Sequence, residues 1–194
     1  MFVVLDTETT GLPKMGGFNV YKNPRLLENY NSSRVIQIAI GCYDDKGKEK
    51  EFYDILINPN NKFEIKNSHF HGITQEKAKR EGILFKDSIE LIKNILEKCD
   101  IIIGHNIQFD IHVLASELYR INENKLACDL LQKKYFCTCY NGRNITKIKT
   151  KYNNYKLPTL EELYTFLHKE PMINYHNAKY DVIHTAKCYF KMIT

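Results

Sequence analysis

The sequence predicts an α/β fold with a mixed central sheet, in which three antiparallel strands open the chain, parallel strands follow, and helices flank the sheet. Three observations support this prediction: short β-branched runs within the first 57 residues, apolar residues at helical spacing further along, and a short apolar run between two helical patterns. The 194 residues contain no internal repeat, low-complexity tract or Pro-rich linker. A chain of this length buries one core without disulfides, so we predict a single domain spanning residues 1–194.

The first three strands are predicted from short apolar runs. MFVVLDTE is typical of a strand buried on both faces, and RVIQIAIGCY and EFYDILI flank the sequence DDKG, which predicts a hairpin turn. A polar stretch from Thr10 to Ser33 separates the first two strands and contains five glycines and prolines. We predict a long loop here, of the kind usually kept for function.

Helical signals begin after these strands. Asp87 and Glu90 have the spacing of a capping box ahead of the periodic run IELIKNIL, and the same spacing recurs at Thr159 and Glu162. A last helix is predicted from about Ala178 towards the C-terminus.

Between these signals the chain predicts one more strand and one more helix. The strand is the run from Ile101 to Ile103. The helix is predicted from a stripe of apolar residues on one face. These are Ile107, Ile111, Leu114 and Leu118.

The charge balance is 28 Lys and Arg against 23 Asp and Glu, a formal net charge of +5 that identifies no partner by itself. The segment from Arg143 to Lys156 is more informative, because it holds five cations, two tyrosines and no acidic residue. It is interpreted as a single-strand-binding segment or, equally, as a solvated basic loop. No apolar run reaches the roughly 20 residues of a membrane span. We therefore expect a cytoplasmic protein without membrane contact, with a nuclear location left open.

Two carboxylates end the first predicted strand. Period-two alternation places Asp6 and Glu8 on one face, with Thr7 on the other. Like charges this close are costly unless a cation neutralises them, and Mg²⁺ or Mn²⁺ prefers oxygen ligands. Alone, this pair is more typical of a strand end that has reached solvent.

Two further acids change that balance. At helical spacing Asp110 falls beside the apolar stripe of its helix, and Asp181 shares a face with small and apolar residues. Four acids that point inward from different elements favour a metal site. His176 lies five residues before Asp181, and a histidine of ordinary pKa can take a proton from water near neutral pH.

Three motifs then give a resemblance. DTETTGL, GHNIQFD and HNAKYD resemble the three exonuclease motifs of the DEDDh-type 3′–5′ exonucleases, which have the ribonuclease H-like fold. HGIT, from His71 to Thr74, is similar to the same segment in the proofreading epsilon subunit of bacterial DNA polymerase III. The polar loop at residues 13–33 is longer than the direct turn of that subunit.

The resemblance implies a site with two Mg²⁺ ions, with Mn²⁺ as a substitute. Asp6 would bridge both ions, Glu8 and Asp181 would complete the water-activating site, and Asp110 would hold the ion at the leaving oxygen. His176 would be the general base. The implied product is a nucleoside 5′-monophosphate.

The resemblance also implies substrate contacts. Thr9 would offer its backbone N–H to the terminal 3′-OH, and Leu12 would wedge against the last bases. His71 and Asn106 would contact the substrate strand. Alternatively, Leu12 anchors its loop and Asn106 caps the helix after it.

Three functions stay open at this point. The first is exonuclease action on single-stranded DNA or frayed 3′ ends, in proofreading or repair, with a DNA polymerase as a partner. The second is an exoribonuclease or oligoribonuclease that trims RNA, since no residue clearly reads a 2′-OH. The third is a nucleic-acid-binding module that has lost catalysis, although all four acids are present.

Overall fold

The computed structural model describes residues 1–173 and 177–194. Its strands, in chain order, are β1 (Phe2–Thr9), β2 (Met15–Gly17), β3 (Val20–Tyr21), β4 (Val35–Tyr43), β5 (Glu49–Leu56), β6 (Ile101–Gly104) and β7 (Tyr135–Cys137). The central sheet has the order β5-β4-β1-β6-β7. β4 is antiparallel to β1 and β5, whereas β6 is parallel to β1 and β7. The predicted mixed sheet with an antiparallel opening is confirmed.

The helices lie on both sides of this sheet. In chain order they are α1 (Ser68–His71), α2 (Gln75–Glu81), α3 (Ile89–Lys98), α4 (Gln108–Arg120), α5 (Asn124–Gln132), α6 (Thr138–Thr146), α7 (Leu160–His168) and α8 (Ala178–Ile193). Short 3₁₀ turns occur at Leu27–Asn29 and Phe85–Ser88. In the described ranges no helix combines the length and the apolar character needed to cross a membrane.

Alternation along β1 divides its side chains between two hydrophobic cores. Val3 and Leu5 contribute to the larger core under α3, α4 and α5, while Val4 contributes to a smaller core under α8. Small residues let α8 approach the sheet closely. Ala39 is fully buried there, and a Cβ added to Gly41 would lie only 3.0 Å from Val182 Cγ1.

Several predicted local features are confirmed. The three opening strands correspond to β1, β4 and β5, and the turn between β4 and β5 is closed by the Asp44 carboxylate, which accepts from Lys46 N and Lys48 N at 3.0 and 2.9 Å. The capping box of α7 is present, because Thr159 Oγ1 accepts from Glu162 N while Glu162 Oε2 accepts from Thr159 N.

One capping prediction is wrong. Asp87 lies inside the 3₁₀ turn Phe85–Ser88, and Ser88 precedes α3 in a helical conformation, with its hydroxyl donating to Phe85 O at 2.7 Å. A preceding helical turn supplies the geometry that a side-chain cap would otherwise provide, so the Asp87 and Glu90 spacing was coincidental. The sequence also failed to predict the β2–β3 hairpin within the polar stretch, and the elements α5, β7 and α6.

Candidate active site

β1 delivers two carboxylates to the face of the sheet that α8 covers. Asp6 pairs in register with Ala39 of β4, and Glu8 pairs with Gln37. Because opposed residues share a face, the small Ala39 leaves the space above Asp6 open. The pairing of β1 with β4 continues through both acids, and its first three residues also pair with β6.

α8 brings a third carboxylate to the same place. Asp181 lies in its first turn, and the side chain of Asn177 caps that helix by accepting from Lys179 N at 3.1 Å. One carboxylate oxygen each of Asp6, Glu8 and Asp181 lie within 4.8 Å of one another. The structure therefore brings together three of the four acids from two distant parts of the chain.

The fourth acid, Asp110, enters from α4 on the other side of β1. It is 2% exposed, and its Oδ1 accepts from both Thr7 N at 2.9 Å and Thr7 Oγ1 at 2.8 Å. Thr7, the residue between Asp6 and Glu8, therefore fixes the Asp110 carboxylate at the end of β1. Sequence reasoning missed this role, although a polar residue in a strand buried on both faces signals that it has a partner.

The carboxyl groups of Asp6, Glu8 and Asp110 have raised pKa values. Burial, together with Asp110, Asp181 and Glu8 nearby, holds the pKa of Asp6 well above its usual range. Burial and the neighbouring Asp181 raise the pKa of Glu8 to about 7. Burial raises the pKa of Asp110 to about 8 despite the two hydrogen bonds from Thr7, which act in the opposite direction.

This donor set fits a hard divalent cation. The carboxylates offer only oxygen ligands, and they converge within reach of one ion. Burial first, and then the neighbouring carboxylates, raise the pKa values of Asp6 and Glu8, and a positive charge would offset both effects. Asp6, Glu8 and Asp181 are the residues that would hold such an ion, and Asp110 lies close enough to Asp6 to act on its charge.

Two histidines of the sequence analysis have different outcomes. His176, the predicted general base, lies outside the described residues. His71 is buried, with Nδ1 accepting from Ile73 N at 3.1 Å and Nε2 facing Lys66 O at 3.3 Å. Those bonds stabilise the turn after α1, and the substrate contact of His71 stays a prediction.

The remaining predicted contacts lie around the end of β1. Thr9 Oγ1 donates to Gly11 O at 2.8 Å, and Leu12 is 75% exposed. Asn106 has a left-handed backbone, with φ of 65°, and does not cap α4 with its side chain. Its Oδ1 is buried without a hydrogen-bond partner in the part of the chain that the structure describes.

The β2–β3 hairpin lies against this rim. Tyr21 accepts from Asn106 Nδ2 at 3.3 Å and stacks on His112 with ring centroids 5.1 Å apart. Burial is the main cause that raises the pKa of Tyr21, and the Asp110 carboxylate raises it further, so the two side chains are near neighbours. An aromatic residue within a polar loop was the sequence signal for this contact.

Sequence comparison identifies the family. The profile described as RNase T, exonuclease, matches residues 3–189, nearly the whole chain. The chain belongs to this exonuclease family. The four acids thus lie in an exonuclease domain of the ribonuclease H-like fold, and the family acts on nucleic acids with divalent metal ions. No curated protein matches the sequence.

Solved structures confirm the fold of this exonuclease domain. Escherichia coli exonuclease I bound to a dT13 oligonucleotide superposes with a TM-score of 0.73 at 19% identity, covering 98% of this chain and 40% of that one. Its zinc-bound form with single-stranded DNA gives 0.70, with the same identity and coverage. Exonuclease X with 5′-overhanging duplex DNA gives 0.58 at 19% identity, covering 100% of this chain and 91% of that one. The chain spans about two fifths of exonuclease I.

Proposed function

We propose that this exonuclease removes nucleotides from the 3′ end of single-stranded DNA or frayed duplex ends, releasing nucleoside 5′-monophosphates in proofreading or repair. The observation that carries the proposal is the convergence of Asp6, Glu8 and Asp181, with Asp110 held beside them by Thr7. Exonuclease I and exonuclease X, whose solved complexes contain DNA, support a DNA substrate. The segment HGIT supports a proofreading role with a polymerase partner.

The chain's own residues have distinct tasks in this proposal. Asp6, Glu8 and Asp181 bind the cations, while Thr7 holds Oδ1 of Asp110 and leaves Oδ2 to serve the same purpose. Two Mg²⁺ ions, or Mn²⁺, would stabilise the entering and leaving oxygens of a phosphodiester and lower the pKa of water. His176 accepts the proton from the attacking water, as its place in the motif HNAKYD implies for a DEDDh-type enzyme.

A time course with 5′-labelled single-stranded DNA and RNA of one sequence tests direction, substrate and metal together. We expect a ladder that shortens from full length on DNA with Mg²⁺ or Mn²⁺, and no cleavage in EDTA. Immediate release of a labelled mononucleotide would mean the opposite direction. A ladder mainly on RNA would indicate RNA trimming, and the absence of any ladder would indicate a binding module.

Two substitutions test the metal ligands. Asp6→Asn and Asp181→Asn should each abolish cleavage and weaken Mn²⁺ binding in calorimetry, because each removes a charged ligand from the cluster. Asp45→Asn, on the distant turn between β4 and β5, is the matched control and should change neither measurement. Full activity of purified Asp6→Asn protein would refute the assignment of the carboxylate cluster.

The general base needs a separate test. His176→Ala should lower turnover by a factor of about 100 or more, the typical contribution of a general base, and leave Mn²⁺ binding unchanged. A loss of Mn²⁺ affinity as large as that of Asp6→Asn would show that His176 is a ligand instead.

A further inference from the structure

A short hairpin at residues 148–156, here called the basic hairpin, has no role in the site described so far. Lys156 N donates to Ile148 O at 2.9 Å, Thr150 N donates to Asn154 O at 2.7 Å, and Lys149 pairs with Tyr155 across the two arms. Its turn is stabilised by a bond from Asn153 N to Thr150 O at 3.1 Å. The segment is therefore an ordered element rather than an open loop.

The basic hairpin displays cations and aromatic rings side by side. Lys149 and Tyr155 are directly opposed and share a face. Lys151 Nζ lies 5.0 Å from the ring centroid of Tyr152, which is 74% exposed. Among the residues that the structure describes, Lys149 and Lys151 form no ion pair, so their charge is not neutralised by the protein.

The base of the basic hairpin is fixed to the loop that leads into α4. His105 Nε2 donates to Pro158 O at 3.0 Å, since a carbonyl oxygen only accepts, and His105 Nδ1 lies 3.0 Å from Thr138 Oγ1. That loop precedes the helix carrying Asp110. The basic hairpin thus emerges from the same end of the sheet as the carboxylate cluster.

The outer face of α6 joins the basic hairpin to the β2–β3 hairpin. Asn19 Nδ2 donates to Tyr140 Oη at 3.0 Å, and the Arg143 guanidinium carbon lies 5.9 Å from the Tyr140 ring centroid. Tyr140 and Arg143 are three residues apart, which places them on one side of the helix, and Lys147 follows as the residue that ends it. Beside Asn19, Phe18 is 85% exposed at the tip of the β2–β3 hairpin.

A continuous surface therefore runs from the rim of the active site to the basic hairpin. It combines aromatic and cationic side chains, several of them in neighbouring pairs, and contains no acidic residue. Its members are Phe18, Tyr140, Arg143, Lys147, Lys149, Lys151, Tyr152 and Tyr155. In the described residues none of its four cations is in a salt bridge, whereas the neighbouring Lys156 pairs with Glu162 at 2.6 Å.

We propose that this surface, the strand track, binds the part of a single-stranded nucleic acid that lies upstream of the 3′ end being cleaved. The proposal rests on the proposed exonuclease function and extends it to a second region of contact. Unpaired cations suit the phosphates of the strand, and exposed rings suit its unstacked bases. A duplex offers no free base faces, so the track favours single strands.

A solvated basic loop would share the charge but not the arrangement. Such a loop has no reason to be held by backbone hydrogen bonds at its turn and by His105 at its base, or to continue into Tyr140 and Phe18. A protein partner would need acidic groups to match the four cations, and acidic groups would not explain the exposed aromatic rings. The neighbouring pairs of rings and cations therefore favour a nucleic-acid strand.

Binding measured in EDTA separates the strand track from catalysis. The probe is a fluorescein-labelled oligothymidylate of about 15 nucleotides, within the site sizes of single-strand binders, with the matching oligouridylate and a duplex as further arms. The variant combines Lys147→Gln, Lys149→Gln and Lys151→Gln. Its matched control combines Lys46→Gln, Lys48→Gln and Lys98→Gln, three exposed lysines at the opposite end of the sheet.

The expected result is a change in salt dependence. Each lost phosphate contact lowers the slope of log affinity against log salt by about 0.7, so the track variant should lose about 2 from that slope and the control nothing. Tyr152→Leu should weaken binding about fivefold or more without changing the slope, because it removes stacking alone. Tyr135→Leu, exposed on β7, is its control. Thermal unfolding checks that all variants are folded.

The outcomes distinguish the two proposals. An unchanged slope in the track variant, an equal loss in the control, or tighter binding of duplex than of single strands would overturn the strand track. If the wild-type protein cleaves DNA in Mg²⁺ while the slope is unchanged, the exonuclease function stands and the track does not. If the slope changes but no cleavage occurs with any divalent metal, the track stands and the proposed function fails.

Discussion

Replacing Asp110 by asparagine should stabilise the metal-free protein while destroying its activity. Asp110 is 2% exposed, and its pKa is raised to about 8 from an ordinary value of 3.8. The amide is neutral at every pH and its oxygen can still accept both bonds from Thr7. Asp110→Asn therefore removes the cost of placing a carboxylate in this buried cluster.

The magnitude follows from proton linkage. A carboxyl whose pKa is higher in the folded state takes up a proton on folding, which favours the folded protein at low pH. For Asp110 this favourable contribution is fully present below the unfolded pKa and is lost as the pH rises towards about 8. At about 1.4 kcal/mol per pKa unit, the order-of-magnitude cost at pH 8 is about 3 to 6 kcal/mol. The advantage of Asp110→Asn should shrink by about 1.4 kcal/mol for each pH unit below that.

Urea unfolding in EDTA at pH 5, 6, 7 and 8 measures this difference, with equal denaturant slopes as a check on two-state behaviour. Asp45→Asn, exposed on the turn between β4 and β5, should stay within about 0.5 kcal/mol of the wild type at each pH. Adding Mn²⁺ should narrow the difference, because the cation neutralises the cluster. Equal stability of Asp110→Asn and wild type at pH 8 in EDTA would refute the reasoning.

Three further predictions concern the scaffold. Glu117→Gln should destabilise the fold by about 3 kcal/mol in urea unfolding, because the buried guanidinium of Arg34 would lose its charged partner and one of two hydrogen bonds. Asp129→Asn, in the exposed pair with Lys125, should cost under about 1 kcal/mol. Burial lowers the pKa of His105 to about 4, so stability should rise with pH from about 4 to 6.5, and His105→Gln should flatten that rise; an unchanged pH profile would contradict it. Leu118→Ala should cost about 2 to 5 kcal/mol, since Leu118 is fully buried in the larger core, and a smaller loss would mean that the core collapses around the cavity.

Local sequence patterns determined most of the framework. Short apolar and β-branched runs predicted β1, β4, β5 and β6. The runs of β4 and β6 are nearly uninterrupted because these strands are buried on both faces. Helical spacing predicted α4 and placed Asp110 beside its apolar stripe, where the structure buries it. The capping box at Thr159 and Glu162 was readable because both partners are three residues apart.

Other features needed the three-dimensional arrangement. The bond between Thr7 and Asp110 joins residues 103 positions apart, and no local pattern carries that separation. The β2–β3 hairpin lacks an alternating apolar pattern, because it is stabilised by contacts of Tyr21 and Asn19 with α4 and α6 rather than by its own core. The capping spacing at Asp87 misled for a local reason, since the preceding 3₁₀ turn replaced the side-chain cap.

The sequence by itself therefore determined the chemical groups of this exonuclease-family domain: four carboxylates in three motifs, on elements whose apolar patterns place them inward. Only the tertiary structure decided that Asp6, Glu8 and Asp181 come within reach of one ion, that Thr7 holds Asp110, and that the β2–β3 hairpin lies against the rim. The physical reason is the distance along the chain over which each kind of signal acts. Propensity and periodicity act over a few residues, whereas the distances between carboxylates depend on how closely α8 packs on Ala39 and Gly41 across the sheet.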